Sequence, residues 1–330
     1  MIKTLKKFYV WFHQTIIKLA GLRLTNKDQF ADLLTQNKSL INFYENICQE
    51  PAQKRRPGVS CLIFSMDRAM QLHALLSSLL EKFDFPPTIS VLYRATSPAQ
   101  QRSYQEVETI FSDQKITFID QEARENFYPQ LLKLIEKIET EKIFFLVDDL
   151  LFIEDIRLDD LLAVDSQKFI LSLRMGQNLK KSYTGRAEQP LPKFYPNESP
   201  DSEKICWHWN EGQFNWRYPL SVDGHLFLTK EILAMFKCFD FNSPNTLEAN
   251  WQIFWPLFSR RLGLAYKKSK ILNIPCNKVQ TDNNNEFGNW HQDDLLTKWN
   301  EGRQIDYRSL YGFINESAHQ EIELKFIKRK

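Results

Sequence analysis

The chain predicts an α/β fold: a mostly parallel β-sheet flanked by helices, behind a helical N-terminal extension. Three observations predict it. From Val59 onward, short apolar runs alternate with segments whose apolar residues recur at helical spacing. The connections between them are short, as repeated βαβ units require. Residues 1–50 carry a different, helical pattern, and a polar segment bounded by prolines, 51–58, separates the two regions.

Each element has its own signal. Ile2, Leu5, Tyr9, Phe12, Ile16 and Leu19 fall on one helical stripe. Lys3, Lys6, Lys7, Lys18, Arg23 and Lys27 precede the first acid, Asp28. An apolar stripe with a basic opposite face suits a helix lying on an anionic membrane surface, or one packed on its own domain. A second helix is expected over about Lys27–Cys48. Val59–Ser65, Thr88–Tyr93, Lys115–Ile119 and Lys142–Val147 read as strands. Ala69–Lys82, Pro98–Ser112 and Tyr128–Thr140 read as the helices between them. Lys168–Leu173, Val222–Leu228 and Ile271–Ile274 are further strands, and Thr246–Leu262 is a helix capped by Asn245 or Thr246. Residues 176–205 and 281–290 read as loops, and 313–330 as a charged tail or helix.

Composition excludes several classes. With 43 basic and 41 acidic residues the net charge is only +2, which gives no basis for nucleic-acid binding. The five cysteines are scattered and odd in number, and they read as reduced thiols of a cytoplasmic protein. No apolar run is long enough to span a bilayer.

The strongest chemical signal is Ile143-Phe-Phe-Leu-Val-Asp-Asp-Leu-Leu-Phe152. Two carboxylates at the carboxyl end of a buried strand are costly unless paired, hydrogen-bonded or bound to a cation. Ligands of parallel sheets bind beyond those strand ends. A divalent ion, Mn²⁺ or Mg²⁺, held there with a substrate diphosphate fits the need. The plainer alternative is that the acids cap the next turn.

Phe64-Ser-Met-Asp-Arg-Ala-Met-Gln-Leu72 and Val147-Asp-Asp-Leu150 resemble the first strand and loop and the acidic motif of GT-A glycosyltransferases. The likeness is to bacterial, family-2-like members that use nucleotide-diphosphate sugars, with Val147 where the first acid of the motif stands. The resemblance covers about Val59–Ile156. It implies a GT-A-like, Rossmann-like domain with a nucleotide-binding half, 59–165, and an acceptor-binding half, 166–312. It implies Asp149 as metal ligand, with Asp148 on the metal or nucleotide, and Ser65, Asp67, Arg68 and Arg94 near the nucleotide. Asp67 has an alternative role as cap of the next helix, and the Arg68 fork suits phosphate. The family also implies an acidic base at a helix N-terminus in the second half. Glu248 fits that place best and Asp223 second. Glu248 has a plainer reading as a first-turn acid meeting the helix dipole. The implied activity is metal-dependent, inverting sugar transfer to a hydroxyl of a cell-envelope glycan or glycolipid, at the inner membrane face. A binding protein without catalysis and a membrane-associated structural module are the alternatives.

Seven of the eight tryptophans lie between Trp207 and Trp299. Trp251 and Trp255 read as core. Trp207, Trp209 and Trp216 are candidates to face a sugar ring. His225 is a candidate acceptor-site residue, and His225 and His291 are candidate extra metal ligands. The Asn273–Gln280 run offers amides for hydroxyls or phosphates, or for turns.

Overall fold

The fold is taken from a computed structural model that describes residues 27–49, 55–276 and 290–329. The basic stripe of residues 1–26 lies outside them, as do residues 51–54 of the expected linker. Helix α1 (Lys27–Gln49) comes first. Strand β1 (Arg56–Met66) starts three residues before the expected Val59, because Arg56 already pairs with the next strand but two. Then follow α2 (Ala69–Lys82), β2 (Thr88–Arg94), α3 (Pro98–Ile110), β3 (Ile116–Asp120), α4 (Phe127–Lys137) and β4 (Thr140–Val147). The predicted alternation is observed in order.

β1 runs parallel to both β4 and β2, and β2 parallel to β3. A late antiparallel strand, β10 (Leu226–Leu228), closes the far edge, giving the order β10-β4-β1-β2-β3. Both faces are covered, so the central strands are apolar throughout rather than alternating. On one face Cys61 and Ile63 of β1 pack with α2 and α3 residues such as Leu72, Leu75 and Val107. On the other, Leu62 and Phe64 meet Leu131 and Ile135 of α4, and Phe43 of α1 joins the same cluster.

The rest of the chain packs on this sheet. It comprises β5 (Leu150–Phe152), α5 (Leu158–Leu162), β6 (Phe169–Ser172), a small hairpin of β7 (Lys181–Ser182) and β8 (Ala187–Glu188), and β9 (Lys204–His208). After β10 come α6 (Thr229–Phe236), α7 (Pro244–Trp251), α8 (Trp255–Phe258), β11 (Leu262–Tyr266) and β12 (Ile271–Asn273). The last elements are α9 (Gln292–Asn300), β13 (Arg303–Ile305) and β14 (Phe326–Lys328). A second sheet has the order β6-β11-β9.

Several expectations change here. The Thr246–Leu262 helix is two short helices and a 3-10 turn followed by a strand. Pro256 opens α8, and the cap of α7 is Ser243, which makes a capping box with Thr246. The segment 313–329 is neither a loose tail nor a helix. Ala318 is fully buried, and β14 pairs with β13. No helix among the described residues is long and apolar enough to cross a membrane.

Candidate functional site

The carboxyl ends of β1 and β4 define the site. Phe64 pairs with Val147, so the residues that follow on each strand come side by side. Asp148 is buried and fully engaged. Its Oδ2 accepts from Ser65 Oγ at 2.8 Å and from Met66 N at 3.1 Å, and its Oδ1 accepts from Arg68 Nη1 at 2.9 Å. Ser65 Oγ also meets Tyr104 Oη at 2.6 Å, and Arg68 N donates to that same Oη. Ser65 and Asp148 therefore tie β1 to β4 and α3, and neither presents a vacant group to a nucleotide.

Asp67 does not cap α2. Its backbone sits at φ 52, the left-handed region that non-glycine residues rarely occupy. Its carboxylate accepts from Thr96 N at 2.8 Å and Thr96 Oγ1 at 2.6 Å, which pins the loop after β2. The left-handed turn reverses the chain so that Arg68 lies back over β4. Arg94 ends β2, partly buried beside this loop.

Asp149 is the more open acid, with 14% of its side chain exposed. Arg68 Nη1 lies 3.3 Å from its Oδ2, and Asn273 Nδ2 donates to its Oδ1 at 3.1 Å. Burial pushes Asp149 up to about 6, against the pull of Arg68 and with the help of Asp148 and Asp223. Burial also works against the charge on Arg68, but Asp148 and Asp149 outweigh it and push that group up.

The second half contributes a linked cluster. The turn Asp223-Gly224-His225 is wedged between β4 and β6: Gly224 N donates to Phe145 O and Leu173 N donates to Gly224 O. Gly224 is at φ +72, and a Cβ there would lie 2.6 Å from Ile271 Cδ1, so the turn requires glycine. Arg174 Nη1 donates to Asp223 Oδ2 at 2.7 Å, and His319 Nε2 approaches the same oxygen at 3.5 Å. Burial opposes the charge on Asp223, but His319 and Arg174 together bring it down to about 2. Glu248, in α7, accepts from Val222 N at 3.1 Å. Burial, and then Asp223, lift it to about 7. Asp149, Asp223 and Glu248 are thus brought into one electrostatic cluster, Asp223 influencing both of the others.

Other candidates fall elsewhere. Trp207, Trp209 and Trp216 are fully buried, and the latter two each pack edge to face on Trp207. No sugar ring reaches them, and they are core. His225 is also fully buried. Its Nδ1 lies 2.8 Å from Pro219 O, and burial, with Arg174, brings it down to about 3, so it is a neutral structural imidazole rather than an acceptor contact or metal ligand. His291 is exposed and caps α9 through a bond from Asp293 N. Trp251 is core as expected, whereas Trp255 is partly exposed with its indole N–H on Arg217 O.

The residues the sequence reading missed are Arg174 and His319. Arg174 follows an apolar strand, as Asp148 does, and that position was its signal. His319 has no local signal at all.

The expected divalent ion does not fit the residues as placed. Arg68 Nη1 occupies the position between Asp148 and Asp149 that such an ion would take. Both oxygens of Asp148 already accept protein donors. Among the described residues no three His, Cys, Asp or Glu side chains converge to hold a metal.

No family model matches this sequence, and no curated protein matches it. Among solved structures the chain is similar to S. aureus TarS 1–349 in complex with UDP. The identity is 16% over 65% of this chain and 59% of that one, with a TM-score of 0.41. It is similar to the WbbM bifunctional glycosyltransferase at 14% identity, over 63% of this chain and 38% of that one, TM-score 0.34. It is also similar to the mannosyltransferase PcManGT from Pyrobaculum calidifontis in complex with GDP-Man and Mn²⁺, at 13% identity, over 45% and 50%, TM-score 0.28. Glycosyltransferases are therefore among the structures it resembles. The chain spans less than two thirds of the length of each, and overlaps of this extent fix neither substrate nor reaction.

Proposed function

We propose that this protein is a glycosyltransferase that moves a sugar from a nucleotide-diphosphate donor to a hydroxyl acceptor. One observation carries the reading. A carboxylate from the second half, Glu248, is raised to about 7 beside Asp223, whose charge also bears on the strand-end acid Asp149. A base poised near neutral pH accepts a hydroxyl proton more effectively than one fixed far below it. Asp223, held near 2, is too weak a base for that role and serves to raise Glu248.

The donor diphosphate lies beyond β1 and β4, beside Arg68 and Asp149. The acceptor hydroxyl gives its proton to Glu248 as its oxygen bonds to the anomeric carbon. The bond to the diphosphate breaks in the same displacement, which inverts the anomeric centre. No step passes through a metal. A glycan or glycolipid acceptor at the inner membrane face remains part of the proposal, and it rests on the basic apolar stripe of residues 1–27.

Incubation of the protein with UDP- and GDP-sugars, with and without simple glycoside acceptors, tests the reading. Release of the nucleoside diphosphate by the wild type and its loss in Glu248→Gln is the expected result. Binding of a donor with no turnover under any condition would favour a non-catalytic carbohydrate-binding protein of the same fold.

A further inference from the structure

We propose that the positive charge facing a bound nucleoside diphosphate comes from Arg68, and that the site binds the diphosphate without a divalent ion. The inference rests on the transferase reading above and concerns the same strand ends.

The argument begins with the occupied position. Arg68 Nη1 is 2.9 Å from Asp148 Oδ1 and 3.3 Å from Asp149 Oδ2, so one nitrogen bridges the two acids. A divalent ion and this nitrogen are alternatives for one place. A magnesium ion needs oxygens in a near-octahedral shell at about 2.1 Å. Asp148 has both oxygens already committed, to Ser65, Met66 and Arg68. For an ion to enter, Arg68 would have to leave, and only 10% of its side chain is exposed. A guanidinium withdrawn from two buried carboxylates into so enclosed a place would be a poorly compensated charge.

The local backbone is built to hold Arg68 where it is. Asp67 is kept in the left-handed region by its bonds to Thr96, and that turn directs Arg68 toward β4. Arg68 is the N-cap residue of α2 yet makes no side-chain capping bond, and the first turn of that helix carries no acid. The helix start therefore adds a field of the same sign beside the guanidinium. A guanidinium is also suited to the task in a way an ammonium is not. Its planar, delocalised fork matches the oxygens of carboxylates and phosphates alike, whereas an ammonium is a point charge.

Isothermal titration of UDP, GDP and the matching monophosphates into the full chain tests this, in excess EDTA and then in excess Mn²⁺ or Mg²⁺. The nucleoside diphosphate that binds is expected to do so with a Kd changed by less than about threefold between the two conditions. Arg68→Gln is expected to weaken the diphosphate about tenfold or more while altering the monophosphate less. Arg68→Lys keeps a cation between the carboxylates and so guards against a folding defect; it should bind with intermediate affinity. Asp149→Asn is expected to tighten the diphosphate, because it removes a negative charge from an anion site. Binding that disappears in EDTA and returns with Mn²⁺, or that Asp149→Asn abolishes, overturns the inference and leaves the transferase reading standing. If no nucleotide binds in either condition, both fall.

Discussion

Arg174 Nη1 lies 2.7 Å from Asp223 Oδ2, and this buried contact separates the behaviour of two neighbouring acids. Asp223 has Arg174 and His319 on its carboxylate and is brought to about 2. Glu248 is lifted to about 7 by burial and by Asp223, with Arg174, Ser221 and Val222 N pulling weakly the other way. Two acids whose surroundings drive them apart are the usual basis for distinct roles in one site.

That separation predicts a pH profile. Glu248 must be ionised to accept a proton, so kcat/KM for transfer should rise through about pH 7 and then level. Glu248→Gln should lower kcat about 100-fold or more without loss of the folded state. A flat profile across the neutral range, or a Gln variant close to wild type in rate, would remove Glu248 from the chemistry.

Arg174 and Asp223 have side chains only 3% and 8% exposed. Arg174→Met leaves Asp223 buried without its 2.7 Å partner and should cost ~3–5 kcal/mol in urea denaturation. The double variant Arg174→Met with Asp223→Leu should recover part of that loss, because no charge is left stranded. In whatever folded fraction Arg174→Met retains, the rise in activity should move to higher pH, since Arg174 is one of the groups that lowers Glu248. Additive single-variant effects in this cycle would show that the two side chains do not act on each other.

Stability should fall between mildly acidic and neutral pH. Asp149 goes from 3.8 to about 6 on folding, and Glu248 from 4.5 to about 7. Each folded-state value is raised, so each contribution is complete below the unfolded value and is lost as pH rises through the folded one. Asp223 has the opposite sign: its folded value drops from 3.8 to about 2, and its contribution is lost as pH falls through that range. Urea midpoints should therefore be higher near pH 5 than near pH 8 in the wild type. The difference should shrink in Asp149→Asn and Glu248→Gln. An unchanged difference in both variants would assign the slope to other groups.

How much of this was legible in the sequence depends on where the information lies. β1 to β4 were readable because strands covered on both faces are continuous apolar runs bounded by helical spacing. The acids at the end of β4 were readable because charge after such a run is costly. The second half was harder. Leu262 closed a stretch that read as helix and 263–266 carried no strand signal of their own, although Leu262–Tyr266 forms the middle strand of the second sheet. The tryptophans misled because a ring that faces a sugar and a ring that fills a core have the same local sequence. Trp207 illustrates the difference. Its indole N–H is satisfied by Trp216 O at 2.9 Å, and its ring lies flat against the backbone of β11 at Gly263.

That last contact makes a direct prediction. A Cβ built on Gly263 would come within 2.3 Å of the Trp207 ring, and the ring has nowhere to retreat because Trp209 and Trp216 pack on it. Gly263→Ala should therefore cost ~1–3 kcal/mol through overpacking. Trp207→Phe in the same chain should relieve part of it. If Gly263→Ala were neutral in denaturation, the tight packing of this sheet against its tryptophans would be wrong.

The C-terminal segment gives the test that joins fold to site. Asn178 Nδ2 donates to Asn315 O at 2.7 Å, the amides of Lys180 and Lys181 donate to Glu316 O, and Gln320 N donates to Asn273 O at 2.9 Å. These bonds hold His319 against Asp223 and lay the segment beside Asn273, the partner of Asp149. Removal of residues 313–330 should therefore lower the thermal midpoint and abolish transfer together. His319→Gln keeps the backbone pairing and should leave the midpoint close to wild type. It should still raise Asp223, because it removes the contact that does most to hold that acid down. With Arg174 still beside it Asp223 should stay ionised near neutral pH, so the rise in activity should keep its place in His319→Gln, whereas Arg174→Met, which removes a cation acting on Glu248 itself, moves it to higher pH. Titration of kcat/KM in the two variants measures this, and a displacement in His319→Gln as large as that in Arg174→Met would refute a direct action of Arg174 on Glu248.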